Sequence, residues 1–173
     1  VVLALDPGYA EALNGLGSVY MGLGRLAEAQ QAYGRLVQIR PNFPQGYYNL
    51  GLVAARREEW AAAAQHYNRA LELDGQAETA KRLGDAWAKL GRLLEADQAY
   101  GQAATAWTGD LSLWLNWGEV QLVLGQSRLD GGDKAGAFEH WRRATLTFTK
   151  VLSQESGNPR ARQRLAQLQA VMQ

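Results

Sequence analysis

Apolar residues recur along this chain at helical intervals, and the helices they predict recur in turn. Leu13, Leu16, Gly17 and Tyr20 fall at i, i+3, i+4 and i+7, one stripe of a helix predicted from about Ala10 to Gly22. Gly24 ends it. Ala29, Tyr33 and Leu36 then mark the inward face of a second helix, from about Leu26 to Arg40, which Pro41 stops. The pair repeats: Leu16-Gly17, Leu50-Gly51, Leu83-Gly84 and Trp117-Gly118 stand at steps of 34, 33 and 34 residues. Ala29, Ala63 and Ala96, then Tyr33, Tyr67 and Tyr100, recur in phase with the first three. A period of this size marks a stacked array. Such an array offers an extended surface rather than a catalytic pocket, so its expected work is to hold another molecule. A glycine inside each first helix costs roughly 1 kcal/mol of helix propensity, and its recurrence points to close approach by the partner helix.

The fourth unit departs from the period. Ala144, Phe148 and Val151 resume the pattern 48 residues after Ala96, Tyr100 and Ala103, and Leu165-Ala166 lies 48 residues after Trp117-Gly118. The excess over 34 is 14 residues, or seven and seven, and seven residues are about two helical turns. The insertion is therefore expected to lengthen both helices without rotating either buried stripe. Gly131-Gly132-Asp133 would form the tip, with Asp133 capping the second helix. A loop is the alternative, and it would leave Phe138 and Trp141 in solvent. From Pro159 to about Met172 one more helix is predicted, with Leu165 and Leu168 covering the last pair and Arg160, Arg162, Arg164 and Gln167 outward.

These positions resemble the tetratricopeptide repeat. The matching residues are Leu13, Leu16-Gly17, Tyr20, Gly24, Ala29, Tyr33 and Pro41 in the first unit, and Tyr47, Leu50-Gly51, Ala54, Ala63, Tyr67 and Ala70 in the second. The third supplies Leu83-Gly84, Trp87, Gly91, Ala96, Tyr100 and Ala103. Gly75 stands in place of the second unit's proline, the third unit also lacks one, and Leu36 is larger than the family's usual small residue. The resemblance implies an all-α, right-handed solenoid of stacked antiparallel helix pairs. Its expected divisions are residues 1–9 as the end of an earlier repeat, 10–43, 44–76 and 77–110 as regular repeats, 111–158 as the elongated one, and 159–173 as a closing helix. The opening Val1-Val2-Leu3-Ala4-Leu5-Asp6-Pro7 is similar to Leu36 to Pro41, which reads as a fragment of a longer polypeptide.

Composition narrows the function. A net charge of +1, from 18 basic and 17 acidic residues, supplies no general attraction for nucleic acid or an anionic membrane. The absence of cysteine removes disulfides, zinc-thiolate and iron–sulfur sites and a cysteine nucleophile. No apolar run is long enough for a transmembrane helix, so a soluble chain is expected, with the cytoplasm the first expectation and the compartment otherwise open. His66 and His140 fall in different units, and no phosphate loop is present. No enzyme, cofactor or metal is expected. Trp60, Trp87, Trp114, Trp117 and Trp141 sit mostly at stripe positions and read as core rather than as ligand stackers, with Trp107 beside the Thr108-Gly109 turn unassigned.

In the resembled family, first helices line a concave groove, and residues flanking the Leu-Gly pair face it. Carried over position by position, these are Asn14, Ser18 and Met21, then Tyr48, Asn49, Leu52 and Arg56, then Lys81, Arg82, Asp85 and Lys89, and finally Leu115, Asn116, Glu119, Leu122 and Val123. Asparagine amides hold an extended peptide backbone, and arginine pairs bidentately with carboxylate. Chaperone-binding relatives grip a terminal carboxylate with two lysines, two asparagines and an arginine. Here Asn49 and Arg82 match, while Asn14, Ser18 and Glu78 occupy the other places. The expected partner is a protein or peptide segment with an acidic part near Arg56 and Arg82, bound by a non-catalytic scaffold. The rival readings are a regulatory or substrate-recruiting segment of a larger enzyme, and a self-association module using the Trp-rich long hairpin.

Overall fold

The computed structural model describes residues 7–106 and 109–172. The expectation for the opening residues and the question of Trp107 fall largely outside that range. Among the described residues every regular element is a helix: α1 (Pro7–Gly22), α2 (Leu26–Ile39), α3 (Pro44–Arg56), α4 (Trp60–Asp74), α5 (Ala77–Lys89), α6 (Leu93–Ala106), α7 (Leu111–Asp130), α8 (Lys134–Gln154) and α9 (Pro159–Val171). The chain forms two compact units, Val1–Ala86 and Trp87–Gln173, divided within α5.

The first unit's core gathers Ala10 and Leu13 of α1, Ala29, Tyr33 and Leu36 of α2, and Leu50 and Val53 of α3. The Leu-Gly glycines make this packing possible. A Cβ built on Gly17 would lie 2.5 Å from the Tyr33 ring, and one on Gly51 2.5 Å from the Tyr67 ring. Each ring therefore lies directly on the opposing backbone. Leu16 departs from its expected inward place: it is 44% exposed, whereas Leu50 is 6% exposed. Leu50 is covered by the pair that precedes it, and α1 is the first described helix.

The turn joining the helices of each regular pair needs one left-handed residue. Gly24 (φ 72°) and Gly91 (φ 73°) supply it, and Glu58 (φ 58°) takes the same conformation without being glycine. A side chain there costs roughly 1–2 kcal/mol. The turns of the first and third pairs share a further arrangement. Arg25 lies over the Tyr20 ring and pairs with Glu28, while Arg92 lies over the Trp87 ring and pairs with Glu95.

In the second unit α7 and α8 run for 20 and 21 residues, against 13–16 for α1 to α6. The tip falls at Gly131-Gly132-Asp133, where Asp133 accepts a hydrogen bond from the Gly136 amide at 2.9 Å. Both alternative stripes of α8 are buried together: Ala137, Trp141, Ala144, Phe148 and Val151 share one core with Ala161 and Leu168 of α9. Gly118 lies under the Phe148 ring, where an added Cβ would come within 2.7 Å. Gly125 lies under Trp141 in the same way. The insertion is thus a second glycine–aromatic layer, seven residues along on each helix, and Leu124-Gly125 is its sequence signature. Asp110, which the pattern left unassigned, caps α7 by accepting from the Ser112 and Leu113 amides at 2.8 and 3.0 Å.

Candidate functional site

The first-helix positions expected to meet a partner fall into two groups, one in each unit. In the first unit, three amides form a row across α1 and α3. Gln45 Nε2 donates to Asn49 Oδ1 at 3.0 Å, and Asn49 Nδ2 donates to Asn14 Oδ1, also at 3.0 Å. Asn14 and Asn49 are half-buried, and Ser18 is exposed one turn further along α1. A carboxamide has two N–H donors and two acceptor sites, so the row retains unused donors and acceptors.

Tyr48 flanks the row. Its hydroxyl donates to Glu78 Oε1 at 2.7 Å, and its ring centre lies 5.8 Å from that of Tyr67. Burial first, and then the Glu78 carboxylate, push the Tyr48 phenol above its ordinary pKa, so it stays protonated and donating. Arg82 Nη2 lies 3.6 Å from the same Glu78 oxygen, while Arg82 Nε is buried without a partner among the described residues. One carboxylate thus occupies both the phenol and the guanidinium.

Three other expected residues, Arg56, Met21 and Leu52, serve the fold. Arg56 Nη1 donates to the Met21 carbonyl at 2.9 Å, at the C-terminal end of α1. There it joins the Gly24 amide, which donates to the same oxygen at 3.2 Å, and meets the negative end of the helix dipole. Met21 is itself in the core, and Leu52 packs against it. Lys81, read from sequence as groove-facing, is buried.

In the second unit Lys89 is exposed, Asn116 is half-buried, and Leu115 and Leu122 are half-buried against the α7–α8–α9 core. Glu119 joins α7 to α9 by accepting from Arg160 Nε at 3.0 Å and Arg164 Nε at 2.9 Å. Arg160 and Arg164, expected to point outward, are therefore held by an ion pair. Beside them is an open cleft of about 250 Å³ lined by Glu119, Leu122, Val123, Gln126 and Trp141 with Arg164, Gln167 and Val171. The tryptophan reading changes as well. Trp141 is buried, but Trp60, Trp87, Trp114 and Trp117 are only half-buried.

Among the described residues no three His, Asp or Glu side chains gather as a metal site, and no helix is long and apolar enough to cross a membrane. The histidines belong to different units, and burial holds both below the ordinary imidazole pKa. The first unit presents hydrogen-bonding amides beside one arginine; the second presents a partly apolar cleft bordered by an ion-paired carboxylate.

A family profile described as tetratricopeptide repeat matches residues 2–44 and 14–78. No curated protein matches the chain in sequence. Among solved structures, the chain is similar to YrrB, described as a TPR protein with an unusual peptide-binding site. The identity is 17% and the TM-score 0.78, over 92% of this chain and 76% of that one. It is also similar to the first TPR of Spaghetti (RPAP3) bound to the HSP90 peptide SRMEEVD, with 22% identity and TM-score 0.67 over 70% of this chain and 98% of that one. A third similarity is to MamA from Desulfovibrio magneticus RS-1, with 20% identity and TM-score 0.66 over 87% and 77%. The shared fold is a helical solenoid of repeated helix pairs.

Proposed function

Because the chain belongs to the tetratricopeptide-repeat family, we propose that it is a non-catalytic scaffold that holds a peptide or helical segment of a partner protein on its first helices. The observation that carries this reading is the Gln45–Asn49–Asn14 amide row. Amides already held 3.0 Å apart by one another lose little freedom when an extended backbone adds its own N–H and C=O groups. Ser18 extends the polar edge, and Tyr48 adds an aromatic wall. Arg82 supplies the charge: a partner carboxylate displaces Glu78 and takes its place on the guanidinium. Met21, Leu52 and Arg56 shape the floor instead of touching the partner. Lys89, Leu115, Asn116 and Leu122 form the second unit's own, more apolar surface.

The relatives lend support. Two of the similar structures are described by their peptide binding, and the peptide on Spaghetti has three acidic residues out of seven. A partner with an acidic portion is the matching expectation here.

The test selects binders from a displayed random-peptide library and measures the best synthetic peptide by calorimetry. The Asn49→Ala, Arg82→Ala double variant should bind it about tenfold or more weakly, since two hydrogen-bonding groups at about 1 kcal/mol each are lost. Its helix content and melting should remain close to those of the parent. Equal affinity in the double variant would refute the site. Self-association through the long hairpin is a second reading, supported by Phe138, which is 42% exposed on α8. A sedimentation coefficient that stays constant across a hundredfold range of concentration would count against it.

A further inference from the structure

We propose that the cleft between α6 and α8 in the second unit binds a small aromatic acid, a flat apolar molecule bearing one N–H donor and a carboxylate. The proposal is independent of the peptide-binding reading, because it concerns a different set of residues, on α6, α7 and α8 of the second unit. The cleft is open to one side and holds about 600 Å³, within the roughly 300–1,000 Å³ common for small-molecule sites. Its walls are apolar. Gly101 and Ala104 of α6 leave room on one side, and Leu146 of α8, 66% exposed, stands on the other. Trp114 and Trp117 of α7 line it too, their ring centres 5.6 Å apart and tilted by 33°.

Two polar features point to the ligand's chemistry. Gln121 lines the cleft at 1% exposure, and its Oε1 has no partner among the described residues. The amide's orientation is fixed. Asp97 Oδ1 accepts from Gln121 Nε2 at 3.3 Å and from Trp117 Nε1 at 2.6 Å, and a reversed amide would set oxygen against carboxylate. A buried acceptor left unmet is costly, and an N–H on the ligand meets it. The second feature is Lys150 at the rim. It has no ion pair among the described residues, whereas Arg143 beside it is 3.1 Å from Glu139. A carboxylate fits that lysine.

Indole-3-propionate combines all three groups and serves as the probe, titrated by calorimetry into the whole chain. Saturable binding is expected. Methylating the indole nitrogen should weaken it about fivefold, the equivalent of one hydrogen bond. Ala104→Trp, which fills the cleft, should weaken it about tenfold or more. Lys150→Gln, an exposed change that leaves the fold alone, should weaken binding and flatten its salt dependence. The proposal is overturned if the parent shows no saturable binding, if the N-methyl compound binds as tightly, or if Lys150→Gln binds with unchanged affinity and salt dependence. Equal binding by a folded Ala104→Trp variant would overturn it too.

Discussion

The regular pairs of the first unit and the long pair of the second use the same contact in different numbers. Gly17 under Tyr33 closes α1 on α2, and Gly51 under Tyr67 closes α3 on α4. In α7–α8 the contact is made twice, Gly118 under Phe148 and Gly125 under Trp141, seven residues apart on both helices. A helical stripe nearly repeats every seven residues, so a pair can grow by whole layers while its inner face stays in place. Growth in other steps would turn apolar residues outward. The comparison also separates two kinds of surface, polar and amide-rich in the first unit, apolar and tryptophan-lined in the second.

The heaviest blow to the second layer is Trp141→Ala. It should cost about 3–5 kcal/mol in chemical denaturation. Hydrogen exchange should speed up in α7 and α8 while protection in α1 to α4 is retained. Loss of protection in both units together would contradict the layer picture.

A smaller test uses one substitution with opposite signs. Gly51→Ala and Gly118→Ala each drive a Cβ into a buried ring and should destabilise by about 1–3 kcal/mol. Gly15→Ala, on the same kind of helix but facing open space, should stabilise by about 0.4–1 kcal/mol. Denaturation midpoints of the three variants decide it.

Next comes the turn. Glu58→Gly removes the left-handed side chain and should stabilise the first unit by about 1 kcal/mol, whereas Gly24→Ala should destabilise it by a similar amount. Thermal melts compare them.

The smallest effect is acid sensitivity. Burial holds His66 and His140 below the ordinary value of 6.5. As pH falls through 6.5 the unfolded chain takes up protons that the folded chain refuses. Stability is therefore full above that pH and declines below it. His66→Gln should flatten the decline in the first unit and His140→Gln in the second, read from urea midpoints between pH 7 and 5.5.

Much of this was legible in the sequence because it rests on local periodicity. The helix pairs, the glycine positions, the two-turn extension of both helices and the Asp133 cap all follow from spacing along one or two neighbouring helices. The contacts that decide the site do not. Arg56 reaches the Met21 carbonyl 35 positions back in the chain, and Tyr48 reaches Glu78 30 positions ahead. Long polar side chains choose partners by three-dimensional approach, so a position beside the Leu-Gly pair fixes a helix face but not what the side chain does there. The tryptophans misled for a related reason. Stripe position put Trp114 and Trp117 inside, yet the gap between α6 and α8 leaves them half-open. Leu124-Gly125 was a readable signal of the second layer, seven residues after Trp117-Gly118.

The most direct measurement of the central claim is an NMR titration of the isotope-labelled chain with the selected peptide, following side-chain amide resonances. Saturating shifts of the Asn14, Gln45 and Asn49 NH₂ groups are expected, with Asn116 and Gln126 in the second unit moving little. Shifts confined to Asn116 and Gln126, with the first-unit amides unmoved at saturation, would contradict it.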